Sequence, residues 1–553
     1  MKRLISSKNK RKAISRLISI IIIVIILIVA ATVAAVYYLY MPTNTQAPLK
    51  DTIIIGTTDS VQTTIDPADA YDYFGINIIQ NLGDGLADYV PGGTNIVPAL
   101  ATSWSMSADG LTWTFNLRQG VKFADGTPFN ASVVKYSMDR EFAIDEAAGP
   151  FAGAGYDAII NKTIMTGTYQ VQFVLNAPFS AFLSMAAFTP MYPVNPNVSP
   201  MRGIVNYTQG NLAASNPNGL GHYVLTKWER TAGKDIEIDL QANPNFWNSS
   251  DLAKTKNIII KFYSDDTTLL LALENHEIDT AYRQLTANEI VSLNSNSNFK
   301  VWVGPGQFIQ YLVFNTQKAP FNQLSVRQAV AAAINRSLIT EHIFLGQAEP
   351  LYSMIPIGMF SHTDAYKSKY GEANITYAQQ LLTQAGYSTS NKLSITLTYP
   401  TGHYTSTDGI GQALKQSLEA TGMISVNLNN YPWSDYKART QSGELSAYIY
   451  GWYPDFIDPY DYTYPFLPPN GAGFLNTGFV DSNINSLLTT VAGTSNVAQQ
   501  QSLYAQLQSR LADQAPMIPL FQGTSIAVST PKVSGIVLDP TTIFRYWLLS
   551  ETT

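Results

Sequence analysis

No cysteine occurs anywhere in the 553 residues, so no disulfide staples the fold and no thiol can serve as nucleophile or metal ligand. Charge is scarce as well. Asp, Glu, Lys and Arg make up 13% of the chain, about half of the roughly 25% usual in globular proteins. Asn, Thr, Ser, Gln and Tyr supply the polar surface instead, a composition common outside cells. The five histidines, His222, His276, His342, His362 and His403, never fall at the i, i+4 spacing of a zinc-binding helix. A Gly-x-Ser-x-Gly nucleophile elbow and a phosphate-cradling Gly-x4-Gly-Lys-Ser/Thr loop are both missing. No catalytic residue, metal ligand or cofactor is therefore expected, and the chain reads as something other than an enzyme.

Charge of one sign is missing from the amino terminus. Residues 1–50 hold eight Lys or Arg and no acid, leaving 26 basic and 40 acidic residues in the remainder. An acidic body without a basic stripe argues against nucleic acid as a partner. Leu17 to Tyr40 is apolar except for Ser19 and Thr32, 24 residues in all. As a helix it would run roughly 36 Å, enough to cross a bilayer core of about 30 Å. The basic residues 1–16 before it keep that end cytoplasmic and place everything after Tyr40 outside, with Tyr37, Tyr38 and Tyr40 as an interfacial belt. A cleaved secretory signal would have a shorter apolar region. Lys12-Ala13-Ile14-Ser15 resembles the processing site of archaeal pilin-like signals, where a cut after Ala13 leaves the helix in place. Residues 17–40 are thus expected to be a single-pass anchor and 41–50 a tether. Sequons at Asn130, Asn161, Asn197, Asn206, Asn248, Asn335 and Asn374 agree with an outside location.

The body exceeds one hydrophobic core and reads as two to four domains. Asp51 to Thr58 carries a continuous apolar run, the pattern of a buried strand. Tyr73 to Leu82 has helical spacing, with Phe74, Ile78 and Leu82 on one face. Leu111 to Arg118 alternates as a strand, a turn follows at Asp125-Gly126, and Asn130 starts a helix running through Arg140. Asp265 is expected to cap a helix beginning near Thr267.

Aromatics are abundant, at 12% with 32 Tyr and 8 Trp, and they concentrate in Ala447 to Pro469, AYIYGWYPDFIDPYDYTYPFLPP. Within it Gly451, Trp452 and Asp455 form a Gly-Trp-x-x-Asp unit. Aromatic faces beside a fixed carboxylate suit a ligand that is partly apolar and carries a cation or hydroxyls. A packed aromatic loop with an Asx turn at Asp455 is the competing reading.

Dispersed motifs then settle into a pattern. Pro98-Ala99-Leu100-Ala101, Asp109-Gly110-Leu111-Thr112-Trp113-Thr114-Phe115, Val121-Lys122-Phe123 with Asp125-Gly126-Thr127-Pro128, Val326-Arg327-Gln328-Ala329-Val330 and Ala333-Ile334-Asn335-Arg336 resemble the family 5 dipeptide/oligopeptide-type solute-binding proteins of ABC importers. Ala378 to Gly386, the strand Leu393 to Tyr399, the helix Leu414 to Gly422, the strand Val426 to Leu428 and Leu503 to Leu520 follow in that family's order. The chain looks like an archaeal, membrane-anchored member. Asn335, where the family usually has Asp, is a departure.

The resemblance implies a bilobal periplasmic-binding-protein-like α/β fold with two hinge strands. The first lobe is expected at 51–84, 215–304 and 516–553, an inserted subdomain at 85–214, and the second lobe at 305–515. Val301 to Gly306 and Ala515 to Phe521 are the hinge candidates, with Gly304 and Gly306 able to absorb backbone rotation. The resemblance also implies that Asp455 ion-pairs with a peptide's α-ammonium, flanked by Trp452 and Tyr453. Trp433, Tyr404 and Thr63 are further ligand-contact candidates, while Phe308 and Tyr311 read as core. A carboxylate shut in a closed cleft needs a partner, and sugar hydroxyls could supply one too. The expected partners are a small-molecule ligand, peptide or oligosaccharide, and ABC permease subunits in the membrane, with the protein itself a monomer. A membrane-anchored extracellular hydrolase and a surface sensor are the readings from other classes.

Overall fold

The structure, a computed structural model, describes residues 28, 32, 49–144, 150–153, 155–205, 207, 212, 219–471, 473–541 and 543–553. Apart from Ile28 and Thr32, the expected membrane anchor at 17–40 lies outside the described residues. Among those described, no helix is long and apolar enough to cross a membrane.

The apolar run near the start of the body forms the strand Thr52–Thr57, with Ile53 and Ile55 buried. It lies in parallel register beside Asn257–Phe262, so that Ile53 and Ile55 align with the buried Ile258 and Ile260. Around this pair a seven-stranded sheet grows, in the order Lys300–Gly304, Ser525–Ser529, Thr280–Tyr282, Thr52–Thr57, Asn257–Phe262, Lys234–Ala242, Tyr223–Thr231. The expected helix is present as Tyr73–Leu82. The Asp72 carboxylate caps its first turn by accepting from the Gly75 N–H at 2.8 Å, and Phe74, Ile78 and Leu82 are buried.

A second sheet has six strands in the order Ala348–Pro350, Met517–Gly523, Ile309–Phe314, Ala447–Trp452, Leu393–Thr401, Ile424–Pro432. Its central strands, Ile309–Phe314 and Ala447–Trp452, are buried at every residue. They carry apolar cores on both faces, one against Val326–Ile334 and the other against Leu507 and Leu511.

A third, antiparallel sheet is ordered Ala101–Met106, Thr112–Leu117, Gln170–Leu175, Ile160–Gly167. Its alternation places Trp113, Phe115 and Leu117 in a core that also takes in Phe456 and Tyr460 from the aromatic segment. Asn130 caps the helix Ala131–Ala143 through Ser132 and Val133.

The chain crosses between the first two sheets twice. It leaves the first sheet at Gly304, passes through residues 305–308 and enters the second at Ile309; it returns from Gly523 through Thr524 to Ser525. Met517–Gly523 therefore belongs to the second sheet, and the expected hinge at Ala515 to Phe521 and lobe boundary at 516 are displaced to Thr524. The reason is pairing: Met517, Ile518 and Pro519 align with Val313, Leu312 and Tyr311. The two crossings lie side by side, with Gly523 N–H donating to the Phe308 carbonyl at 3.0 Å. Gly306 is required there, because a Cβ on it would fall 1.7 Å from the Gly523 carbonyl oxygen.

Candidate functional site

The aromatic segment owes its shape to an acid that sequence reasoning passed over. Asp461 is fully buried and accepts from the Trp452 indole N–H at 3.0 Å and from the Asp455 backbone N–H at 3.1 Å. Asp458 accepts from the Tyr460 N–H at 2.8 Å, and burial pushes its carboxyl up to about 6. These two acids thus brace the segment around Asp455. The carboxylate of Asp455 instead accepts from the Tyr71 hydroxyl at 3.0 Å, across the gap between the first two sheets. Tyr71 is held protonated by burial and by the negative charges of Asp455 and Asp461.

A cavity of about 120 Å³ opens at this point, about ten times the space one water molecule needs. From the second sheet and its loops come Asp455, Trp452, Tyr453, Tyr404 and Trp433; from the opposite wall come Tyr71, Asp72, Tyr73 and Asn77. Trp433 stacks on His403 with ring centroids 3.6 Å apart. Burial, aided by Arg283 and Lys437, pushes the His403 imidazole down to about 3, so the ring is neutral at ordinary pH. The Tyr404 hydroxyl accepts from the Gly451 N–H at 3.0 Å. Gly451 must be glycine, because a Cβ would lie 2.5 Å from the Phe308 ring. Trp452 is 5% exposed and wedged against Phe466 and Phe474, so its indole is part wall and part core.

The opposite wall holds a second carboxyl. Asp72 caps its helix through one oxygen, while the other has no hydrogen-bond partner. Burial pushes it up to about 7, against backbone N–H groups of Gly75, Gln62 and Thr63 and with some help from the charge of Asp59. Beside it Arg283 spans the gap. It pairs with Asp59 at 2.9 Å, donates to the Tyr453 hydroxyl at 2.7 Å, and lies 3.7 Å from the Tyr73 ring centroid. Burial opposes its charge, but Asp59, Tyr453 and Tyr73 outweigh that and raise its pKa.

Five of the six ligand-contact candidates, Asp455, Trp452, Tyr453, Trp433 and Tyr404, are thus brought together. Thr63 is not. Its backbone turns toward Asp72, while its exposed side chain lines a separate surface hollow with Asp69, Tyr207, Trp228 and Arg230. Tyr311 is core as expected, whereas Phe308 is partly exposed and stacks on Tyr453 at 4.3 Å. Sequence reasoning missed Tyr71, Asp72, Arg283 and His403. Asp72 carried a signal as the residue preceding a helical pattern. Arg283 carried none, because it sits at a left-handed bend (φ +64°) after a strand of three residues.

Comparison with known proteins gives a consistent picture. The family model described as "Bacterial extracellular solute-binding proteins, family 5 Middle" matches residues 95–474. Haem-binding protein A of Haemophilus influenzae is 27% identical over 480 residues, covering 83% of this chain and 85% of that protein. The probable D,D-dipeptide-binding periplasmic protein DdpA of Escherichia coli is 28% identical, covering 89% and 92%. Among solved structures, the periplasmic binding protein DppA of Helicobacter pylori in complex with the peptide STSA superposes with a TM-score of 0.76 at 25% identity, covering 91% of this chain and 98% of that one. The murein tripeptide binding protein MppA of E. coli reaches 0.79 at 22% identity, covering 92% and 100%. The bilobal periplasmic-binding-protein-like fold is shared with both.

Proposed function

This chain belongs to family 5 of the extracellular solute-binding proteins, and on that premise we propose that it captures short peptides between its two main sheets and delivers them to an ABC importer. The observation that carries the reading is the Asp455 carboxylate, 8% exposed, at the wall of an aromatic-lined cavity. A carboxylate withdrawn from water is costly unless a cation or several hydrogen bonds meet it. A peptide α-ammonium offers both, with three donors. The neutral aromatic faces of Trp433, Tyr404 and Trp452 take the apolar part of the ligand, and no other cation is needed to orient it. Proteins named for peptides among its relatives and structural neighbours support the same ligand class.

In this reading the moving bodies are residues 51–84, 215–304 and 525–553 on one side, with 85–214 inserted, and residues 309–523 on the other. Residues 305–308 and Thr524 are the hinges. Ligand shifts the open–closed balance by its differential affinity for the two states. Leu17 to Tyr40 tethers the body to the outer face of the membrane. Energy for transport comes from the partner, since no nucleotide-binding loop is present, and no bond in the ligand is broken.

Thermal-shift measurement on the full chain in detergent tests this. A dipeptide at 100 times its dissociation constant is expected to add about 2.7 kcal/mol of stability, and Asp455→Asn is expected to abolish most of that gain. Stabilisation by oligosaccharides alone, or hydrolysis of a stabilising peptide, would overturn the proposal.

A further inference from the structure

Behind the aromatic wall lies a second cavity, of about 130 Å³, at the point where the two crossings meet. Tyr73, Tyr404 and Tyr453 line both cavities and separate them. Its lining mixes apolar side chains, Phe344, Phe521, Ile526 and Val528, with polar ones, among them Gln284, Gln347 and Ser406. Gln310 also lines it. Its side chain is fully buried, and neither the amide nitrogen nor the amide oxygen has a hydrogen-bond partner. The backbone of Gln310 is fixed at the middle of the second sheet, paired with Gly451 on one side and Phe521 on the other. That pairing fixes the face of the sheet from which the side chain projects.

A primary amide buried without partners is among the more costly groups a core can hold. The polar neighbours do not relieve it. Arg283 is engaged by Asp59 and Tyr453, Gln284 donates to Asp59 at 3.4 Å, and Gln347 donates to the Ala287 carbonyl at 3.1 Å. A leucine would fit the strand pattern and avoid the cost, so the amide calls for a partner that enters from outside. Water is one such partner, and a ligand group able both to donate and to accept is another. A side chain with an apolar stem and a terminal carboxamide satisfies both surfaces at once. Its C=O accepts from Gln310 Nε2 and its NH₂ donates to Gln310 Oε1, while its methylenes lie against Ile526 and Phe521.

Tyr453, in the partition between the cavities, is partly exposed and held by the Arg283 hydrogen bond and by stacking on Phe308. A ligand side chain that reaches Gln310 from the first cavity has to displace its ring. We infer that the second cavity is a side-chain subsite of the ligand site, selecting peptides in which the residue following the anchored terminus is Gln or Asn, with Gln310 as the group that reads the carboxamide. The inference rests on the peptide reading above and adds a specificity to it.

Isothermal titration of the full chain in detergent with Ala-Gln, Ala-Leu and Ala-Glu tests it, each against the wild type, Gln310→Leu and Asp455→Asn. The wild type is expected to prefer Ala-Gln over Ala-Leu by about tenfold or more, the worth of a satisfied amide pair. Ala-Glu is expected to bind more weakly than Ala-Gln, because its carboxylate cannot donate to Oε1. Gln310→Leu is expected to invert the Ala-Gln to Ala-Leu order. Equal affinities in the wild type, or the same ratio in Gln310→Leu, overturn the subsite, while loss of all three ligands in Asp455→Asn then leaves the peptide reading standing. If the wild type binds none of the three, the peptide reading falls and the subsite falls with it. The wild-type ratio needs no variant to fold.

Discussion

Three aspartates within seven residues divide the work of the aromatic segment, and substitution separates them. Asp461 accepts from two N–H groups in a fully buried place. Asp461→Ala strands both donors and is expected to lower the unfolding free energy by about 3 kcal/mol in urea denaturation. Asp455→Asn is nearly isosteric and keeps an acceptor for Tyr71, so stability is expected to change by less than about 1 kcal/mol. Its affinity for a dipeptide is nevertheless expected to fall about 10- to 100-fold, the worth of a charge-assisted bond. Equal effects of the two substitutions on melting would contradict this division. Across the cavity, Asp72 has a folded-state carboxyl raised to about 7, against about 4 in an unfolded chain. An acid raised in this way contributes its stability fully below about pH 4 and loses it as pH climbs toward 7. Asp72→Asn retains the helix cap, since Asn caps as well as Asp. The variant is expected to lose less melting temperature than the wild type between pH 4 and pH 7.5; parallel pH profiles would show that Asp72 ionises freely.

The two crossings join the two main sheets, and their contact leaves no room for a methyl group. Gly306→Ala places a Cβ against the Gly523 carbonyl, so the segments must part and the Gly523 to Phe308 hydrogen bond lengthens. A loss of about 2–4 kcal/mol in unfolding free energy is expected, whereas alanine at Gly346, where nothing lies within 4 Å of the new Cβ, meets only the strain of its positive φ. At this scale much was legible in the sequence. The strand Thr112–Leu117 and the helix Tyr73–Leu82 lie where alternation and helical spacing placed them, and the helix Asp266–Glu274 follows the cap expected at Asp265. The helix expected from Leu414 begins instead at Thr407, because its first turn carries Asp408, Gly409 and Gly411, which no helical pattern recommends. The second crossing was displaced because Met517–Gly523 is apolar on both faces, and such a run fits either sheet equally well from periodicity alone. Site residues on the second sheet were legible through the aromatic segment and the family motif. Those on the opposing wall were not, because their roles arise from the approach of segments far apart in the chain, such as Tyr71 with Asp455 and Arg283 with Tyr453.

Across the whole molecule, the gap is crossed both by apolar packing, where Phe456 and Tyr460 enter the core of the third sheet, and by polar bridges. Tyr71 to Asp455, Arg283 to Tyr453 and the Ile457 N–H to the Tyr89 hydroxyl, at 3.0, 2.7 and 3.1 Å, all span the gap. Of these, the Arg283 to Tyr453 bond carries a full charge and is the one a single oxygen atom controls. Tyr453→Phe keeps the ring on Phe308 and removes only the hydroxyl. Losing a hydrogen bond to a charged group is worth about 1.5–3 kcal/mol, which shifts the closed-to-open ratio by about 10- to 150-fold. A ligand-free protein that is mostly closed would become mostly open. Small-angle X-ray scattering is expected to show a larger radius of gyration for ligand-free Tyr453→Phe than for the wild type. Saturating dipeptide is expected to bring both to the same value, since bound ligand supplies the missing bridge. Apparent affinity falls by the fraction of molecules that must be closed at binding, so the weakening and the expansion are linked through one equilibrium. If Tyr453→Phe weakens binding without changing the ligand-free radius, the hydroxyl acts on the ligand rather than on closure, and the latch lies with the other contacts across the gap.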